Sequence, residues 1–187
     1  GDGTPVASSY NSRMFDFTIG RDLDENQSIE FTYLRLDQTD VEFPGMAFDI
    51  DFLVTDGFEL TYENTGTDWT DELTFETWYN HTRFAGNAQS AAKRQQFPLL
   101  DFFQYEGFTD VDSTSTGFRA VSRWEVEEDR TVIAGVDLRY IRQELDEVAS
   151  GRVGFNVFTD ANSPIPKSDS MDPGFFVEDR RSLDNGW

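Results

Sequence analysis

Apolar and polar residues alternate with a period of two along almost the whole chain, so its segments fold as half-buried strands rather than helices. Phe15, Phe17 and Ile19 alternate with Asp16, Thr18 and Gly20. Ile29, Phe31 and Tyr33 alternate with Glu30 and Thr32, and Phe52, Val54, Phe58, Leu60 and Tyr62 share one face opposite Thr55, Glu59 and Thr61. The pattern recurs in Leu73, Phe75 and Tyr79, in Phe118, Ala120, Trp124 and Val126, and in Val132, Ala134, Val136, Leu138 and Tyr140. It predicts six strands, at roughly 14–21, 28–37, 50–63, 71–84, 116–127 and 130–143. Only Asn87–Gln96, with Ala88, Ala91 and Ala92, carries a helical signal.

The connections sort by length. Asp22–Gln27 (about six residues), Asn64–Thr70 (about seven) and Glu128-Asp129 (about two) are short. Gln38–Asp49 is about twelve residues, Ala85–Ser115 about thirty, and an open-ended stretch follows Glu144. Strict alternation of short and long links belongs to a transmembrane barrel, whose two ends face different compartments. The strands are also longer than the five or six residues usual in soluble sheets and near the 9–11 that cross a bilayer. Charges of both signs (Asp16, Glu30, Glu59, Glu76, Arg119, Arg123, Asp137, Arg139) sit on the face opposite the apolar one and suit a wet lumen. Tyr62, Trp69, Trp78, Tyr79, Trp124 and Tyr140 are placed as interfacial girdles near strand ends. The expected fold is all-β, an antiparallel up-and-down meander forming a partial transmembrane barrel. A soluble all-β domain is the competing reading. Six strands do not close a membrane barrel, for which eight is the smallest number.

Composition narrows the chemistry. With 36 acidic and 15 basic residues the net charge is −21, which repels phosphate backbones and argues against nucleic acid as a partner. There is no cysteine and one histidine, so thiolate metal sites, thiol nucleophiles and histidine clusters are excluded. The pairs Asp49/Asp51 and Asp110/Asp112, the latter followed by Ser113 and Thr114, offer hard oxygen ligands, but neither has the glycine and distal glutamate of a calcium loop. Asp22, Asp24, Glu25 and Asn26 read as turn chemistry, and His81 as a surface or lumen residue. No nucleophile elbow, P-loop or dinucleotide fingerprint is present. The chain reads as a non-enzyme, with no catalytic residues, no metal site and no cofactor.

Two stretches are similar to strands and loops of TonB-dependent outer-membrane receptors: Gln27–Gly45, QSIEFTYLRLDQTDVEFPG, and Phe58–Asn64, FELTYEN, followed by a turn and a new aromatic strand. Asn162–Gly174, NSPIPKSDSMDPG, is similar to loops of such receptor barrels. The resemblance extends over residues 1–187, and implies a barrel of about 22 strands filled by a plug domain. It further implies uptake of a scarce small-molecule or metal-chelate substrate (a ferric siderophore, cobalamin or glycan) across the bacterial outer membrane, in contact with its lipid. The driving partner would be the TonB energy-coupling complex, reached through a plug region that this stretch does not contain. Chain ends without a signal peptide, a TonB box or a terminal sorting strand, and a turn-like Arg181–Trp187, are read as those of an internal slice of such a barrel. A soluble secreted carbohydrate-binding module and a passive porin are the alternatives. The expected substrate contacts are in the long fourth link: the cations Lys93 and Arg94, and Phe97, Phe102, Phe103 and Tyr105 in an unusually apolar loop.

Overall fold

A computed structural model describes residues 8–182. They form one seven-stranded antiparallel sheet in strict meander order. The strands are β1 (Asn11–Asp22), β2 (Gln27–Glu42), β3 (Asp49–Asn64), β4 (Glu72–Asn87), β5 (Glu106–Glu127), β6 (Arg130–Val153) and β7 (Asn156–Arg181). The link between β4 and β5 carries two short helices, α1 (Ala91–Gln96) and α2 (Leu99–Phe102). Ser90 caps α1, its hydroxyl accepting from the Lys93 amide at 3.1 Å. The expected helix thus forms over its second half. From residue 183 onward, the turn expected at the C-terminus lies outside the described residues.

Three expectations are corrected. There are seven strands, not six, and the stretch 162–174 is part of β7 rather than a loop. Its prolines concealed this. Pro164, Pro166 and Pro173 donate no backbone hydrogen bond, yet β7 has only one strand partner here and its register shifts around Leu145, where proline is tolerated. The long links are also shorter than expected. The second is residues 43–48 and the fourth residues 88–105, because the strands run on past the end of the alternating pattern. Strand length rises from 12 residues in β1 to 26 in β7, and 26 residues at about 3.3 Å each reach roughly 85 Å, far beyond a bilayer.

Register sorts the side chains into two faces, since directly paired residues point the same way. One continuous row on the apolar face runs Phe17, Tyr33, Phe58, Tyr79, Thr116, Tyr140, Met171. Tyr33 and Phe58 stack there with ring centroids 4.9 Å apart. Towards the short-turn end follow Ile19, Phe31, Leu60, Thr77, Phe118, Leu138 and Pro173, then Arg21, at the end of β1, with Ile29, Tyr62, Phe75, Ala120, Val136 and Phe175. Trp124 and Val132 close this band, and the Trp124 indole donates to the Trp69 carbonyl at 2.7 Å. From Val132 to Tyr140 the band is about 27 Å along the strand, or about 21 Å in height at a tilt near 40°.

The opposite face carries Thr18, Thr32, Glu59, Trp78, Gly117, Arg139 and Asp172, with Glu30, Glu76, Arg119 and Asp137 in the next row. All eight charges expected on the wet face share it. The girdle assignment needs two changes. Trp78 is on the polar face, against Gly117, where a Cβ would run into its ring. Tyr79 and Tyr140 border the apolar band but lie mid-strand, because their strands continue beyond it.

Among the described residues only Val54, Ala88 and Leu100 are buried apolar side chains, whereas Phe17, Ile19, Phe75, Val136 and Phe175 of the band are exposed. A soluble sandwich buries one sheet face against a second sheet. No second sheet exists among these residues, and this apolar face stays uncovered.

Candidate functional site: the mouth end of the sheet

The links 43–48, 88–105 and 154–155 lie at one end of the sheet, here called the mouth. A cavity of about 450 Å³ opens there on the polar-face side, walled by Met46, Phe48, Phe84, Tyr105, Leu145 and Glu147 among others. Two glycines make it possible. The Phe48 ring lies against Gly86, and the Tyr105 ring stands 2.9 Å from where a Cβ on Gly107 would be. Any larger residue at either rung would push the ring aside.

The walls are tied together by a buried charge. Lys93 on α1 is 1% exposed. Its ammonium lies 2.8 Å from Asp49 at the start of β3 and donates to the Phe43 carbonyl at 2.7 Å. The Asp49 carboxylate also accepts from the Phe43 amide (3.0 Å) and the Ser90 hydroxyl (3.0 Å). One ion pair with satisfied lone pairs therefore locks link 43–48, which carries Phe48, to the segment that carries Tyr105. Arg94 braces the same segment from within. It reaches Asp101 at 2.8 Å and the Tyr105 carbonyl at 3.0 Å, and also donates to the Gln89 side chain.

The six expected contact residues therefore divide. Tyr105 lines the cavity. Phe97 packs beside the Lys93 ammonium, 6.0 Å from ring centroid to nitrogen. Phe102 and Phe103 meet edge to face at 4.9 Å, and Phe102 is 75% exposed. Lys93 and Arg94 point into the scaffold. The walls Met46, Phe48, Phe84 and Leu145 come from other strands and links, and no sequence spacing joins them to Tyr105. Glycines at mouth-end strand positions, Gly86 and Gly107, were the available sign of rings packed close to the sheet.

Three of the four paired acids have partners. Asp49 belongs to the Lys93 lock, Asp51 accepts from Asn87 at 2.6 Å, and Asp112 lies 2.9 Å from the His81 ring. Among the described residues no group of three histidine, cysteine, aspartate or glutamate side chains is placed to hold a metal ion. Asp24 accepts from the Asn26 amide at 2.8 Å, the turn chemistry expected of it.

Glu42 closes the mouth end of β2. It accepts from the Ser9 hydroxyl at 2.7 Å and the Ser9 amide at 2.9 Å. These bonds, the hydroxyl first, hold its carboxyl below the ordinary value of 4.5. A depressed carboxyl stabilises fully above that ordinary value and loses its contribution as the pH falls through the folded one. Protection of the Ser9 amide, relative to its intrinsic exchange rate, is therefore expected to fall only below about pH 4.5, and Glu42→Gln should abolish that fall; protection that does not change with pH in the unmodified chain would refute the link.

No protein-family model matches the chain, and no curated protein matches it in sequence. Twenty-four chains of solved structures match its fold. One is "Copper transporter OprC", with TM-score 0.68 and 14% sequence identity, covering 98% of this chain and 35% of that one. The chain shares the fold of part of that protein's β-barrel. It spans about a third of OprC's length. At this identity the match carries the fold and not the metal. The three methionines are spread over the polar face (Met14), the mouth link (Met46) and the apolar face (Met171).

Proposed function

We propose that this chain is a wall segment of an energy-coupled outer-membrane transporter of the TonB-dependent type, acting by binding and passage without covalent chemistry. The observation that carries this reading is the division of one sheet into an aromatic-bordered apolar band about 21 Å tall, close to that of barrel strands, and a face of mixed charges. The barrel fold shared with OprC supports it. The apolar band faces lipid and the charged face lines the lumen. The mouth, with the 88–105 link and the overlong strands, faces outward, and the turns at 23–26, 65–71 and 128–129 face the periplasm. The substrate is a scarce small molecule or metal chelate that meets the mouth first. Tyr105 and the exposed Phe102 ring contact it, while Phe97, Phe103, Lys93 and Arg94 hold those rings in place. The TonB energy-coupling complex acts through a plug region of the whole protein.

The chain has no cysteine, so introduced thiols report topology cleanly. In cells making the full gene product, Phe155→Cys, in the β6–β7 turn and 99% exposed as phenylalanine, should react with a membrane-impermeant maleimide. Glu128→Cys should react only after the outer membrane is permeabilised. Recovery of the protein in the soluble fraction, or equal labelling of both thiols in intact cells, would refute the reading.

A further inference from the structure

Register gives the mouth cavity its floor and its walls. The floor is the polar-face row Leu53, Phe84, Val111, Leu145, Ile165, apolar on all five strands. The next row mouthward reads Ile50, Gly86, Thr109, Glu147, Asn162, with the Phe48 ring laid over Gly86. Glu147 is two strands from Gly86, about 10 Å, so its carboxylate faces the Phe48 ring across the cavity. Among the described residues Glu147 is the one charged group that lines it, and it has no ion pair and no side-chain hydrogen bond there. One row further out Asp160 pairs with Ala149, a second carboxylate on the same face. Neither of the two rows holds a basic side chain. The cations of the neighbouring segment, Lys93 and Arg94, are bound to Asp49, Asp101 and backbone carbonyls.

We propose that this cavity takes an organic cation, an amine or quaternary ammonium carried on an apolar body of about one ring system. Three rings, Phe48, Phe84 and Tyr105, present electron-rich faces that attract a cation as well as hydrocarbon. Glu147 supplies the countercharge, and the Phe84 and Leu145 floor receives the apolar body. An anionic chelate is opposed here, because it brings like charge against Glu147 and meets no free cation. The chain's net charge of −21 acts in the same direction at longer range, drawing cations to the mouth. A volume of about 450 Å³ suits a small molecule and not a polymer. The proposal rests on the reading of the mouth as the entrance for substrate, and narrows that substrate to one charge class.

The test is calorimetric titration of the full gene product, purified in non-ionic detergent, with two probes of similar size and opposite charge: phenyltrimethylammonium and benzenesulfonate. The cation should bind and the anion should not. E147Q should weaken the cation about fivefold, the scale of one partly exposed charge contact. E128Q makes the same charge change in the turn at the far end of the sheet and should leave binding unchanged, which separates the site from the general attraction of an acidic protein. F84L keeps the carboxylate, removes one ring, and should also weaken the cation; it serves if E147Q does not fold. No binding of the cation, equal binding of both probes, or equal effects of E147Q and E128Q would overturn the proposal. Failure of the transporter reading shows separately, as recovery of the protein in the soluble fraction; a cation preference lost in E147Q would still support the site there.

Discussion

Val136→Arg is expected to cost about 2–4 kcal/mol of barrel stability, the penalty of a cation at mid-bilayer on a lipid-facing strand. Val136 lies mid-band between Ala120 and Phe175, and is exposed because the sheet has no second layer. Val121→Arg is the matched control. Val121 pairs with Thr74 and Gly135 on the opposite face, one diagonal step from Glu76, where an added cation finds water and a carboxylate. Its expected effect is within about 0.5 kcal/mol, as for an ordinary surface change. Denaturant unfolding of the whole protein in lipid vesicles measures both. Equal costs would mean that the two faces do not see different solvents, and a reversed order would exchange lipid and lumen.

The second large effect is at Lys93. Removing one partner of a buried ion pair leaves an uncompensated charge and typically costs about 3–5 kcal/mol. Lys93→Met strands Asp49 and leaves the Phe43 carbonyl without its ammonium. The loss is expected to be local: hydrogen exchange should rise in residues 43–48 and 88–105 together, while the β2–β3 pairing in the band keeps its protection. Lys93→Met with Asp49→Leu should recover much of the loss, since an apolar pair avoids the stranded charge. If the two links respond independently to Lys93→Met, the pair does not join them.

How far each element could be read follows from what surrounds it. The apolar-band part of β1–β6 was legible because its two faces differ in polarity and so impose alternation, as in Phe15–Ile19 and Val132–Tyr140. Beyond the tyrosine border both faces carry polar side chains, so 106–115 and 144–153 lost the pattern while the strands continued on backbone hydrogen bonds. The reading of 85–115 as one long loop failed for that reason. β7 failed for another: its prolines and serines suit an edge whose pairing partner tolerates register shifts. Tyr105 was recognised as part of an apolar mouth segment. Phe48, Phe84 and Leu145 were not, since they reach the cavity from three other segments.

Lys93 marks the limit most sharply. As one of few clustered cations it suggested a ligand contact, and nothing local said that Asp49, 44 positions earlier in the chain, would meet it. By itself the sequence determined the strand class, the meander order and the chemistry of the two faces, because period, turn residues and solvent preference are local properties. Tertiary structure alone decided strand length beyond the apolar band, the cavity walls and the buried lock. Each depends on register, which brings residues tens of positions apart to one height on one face.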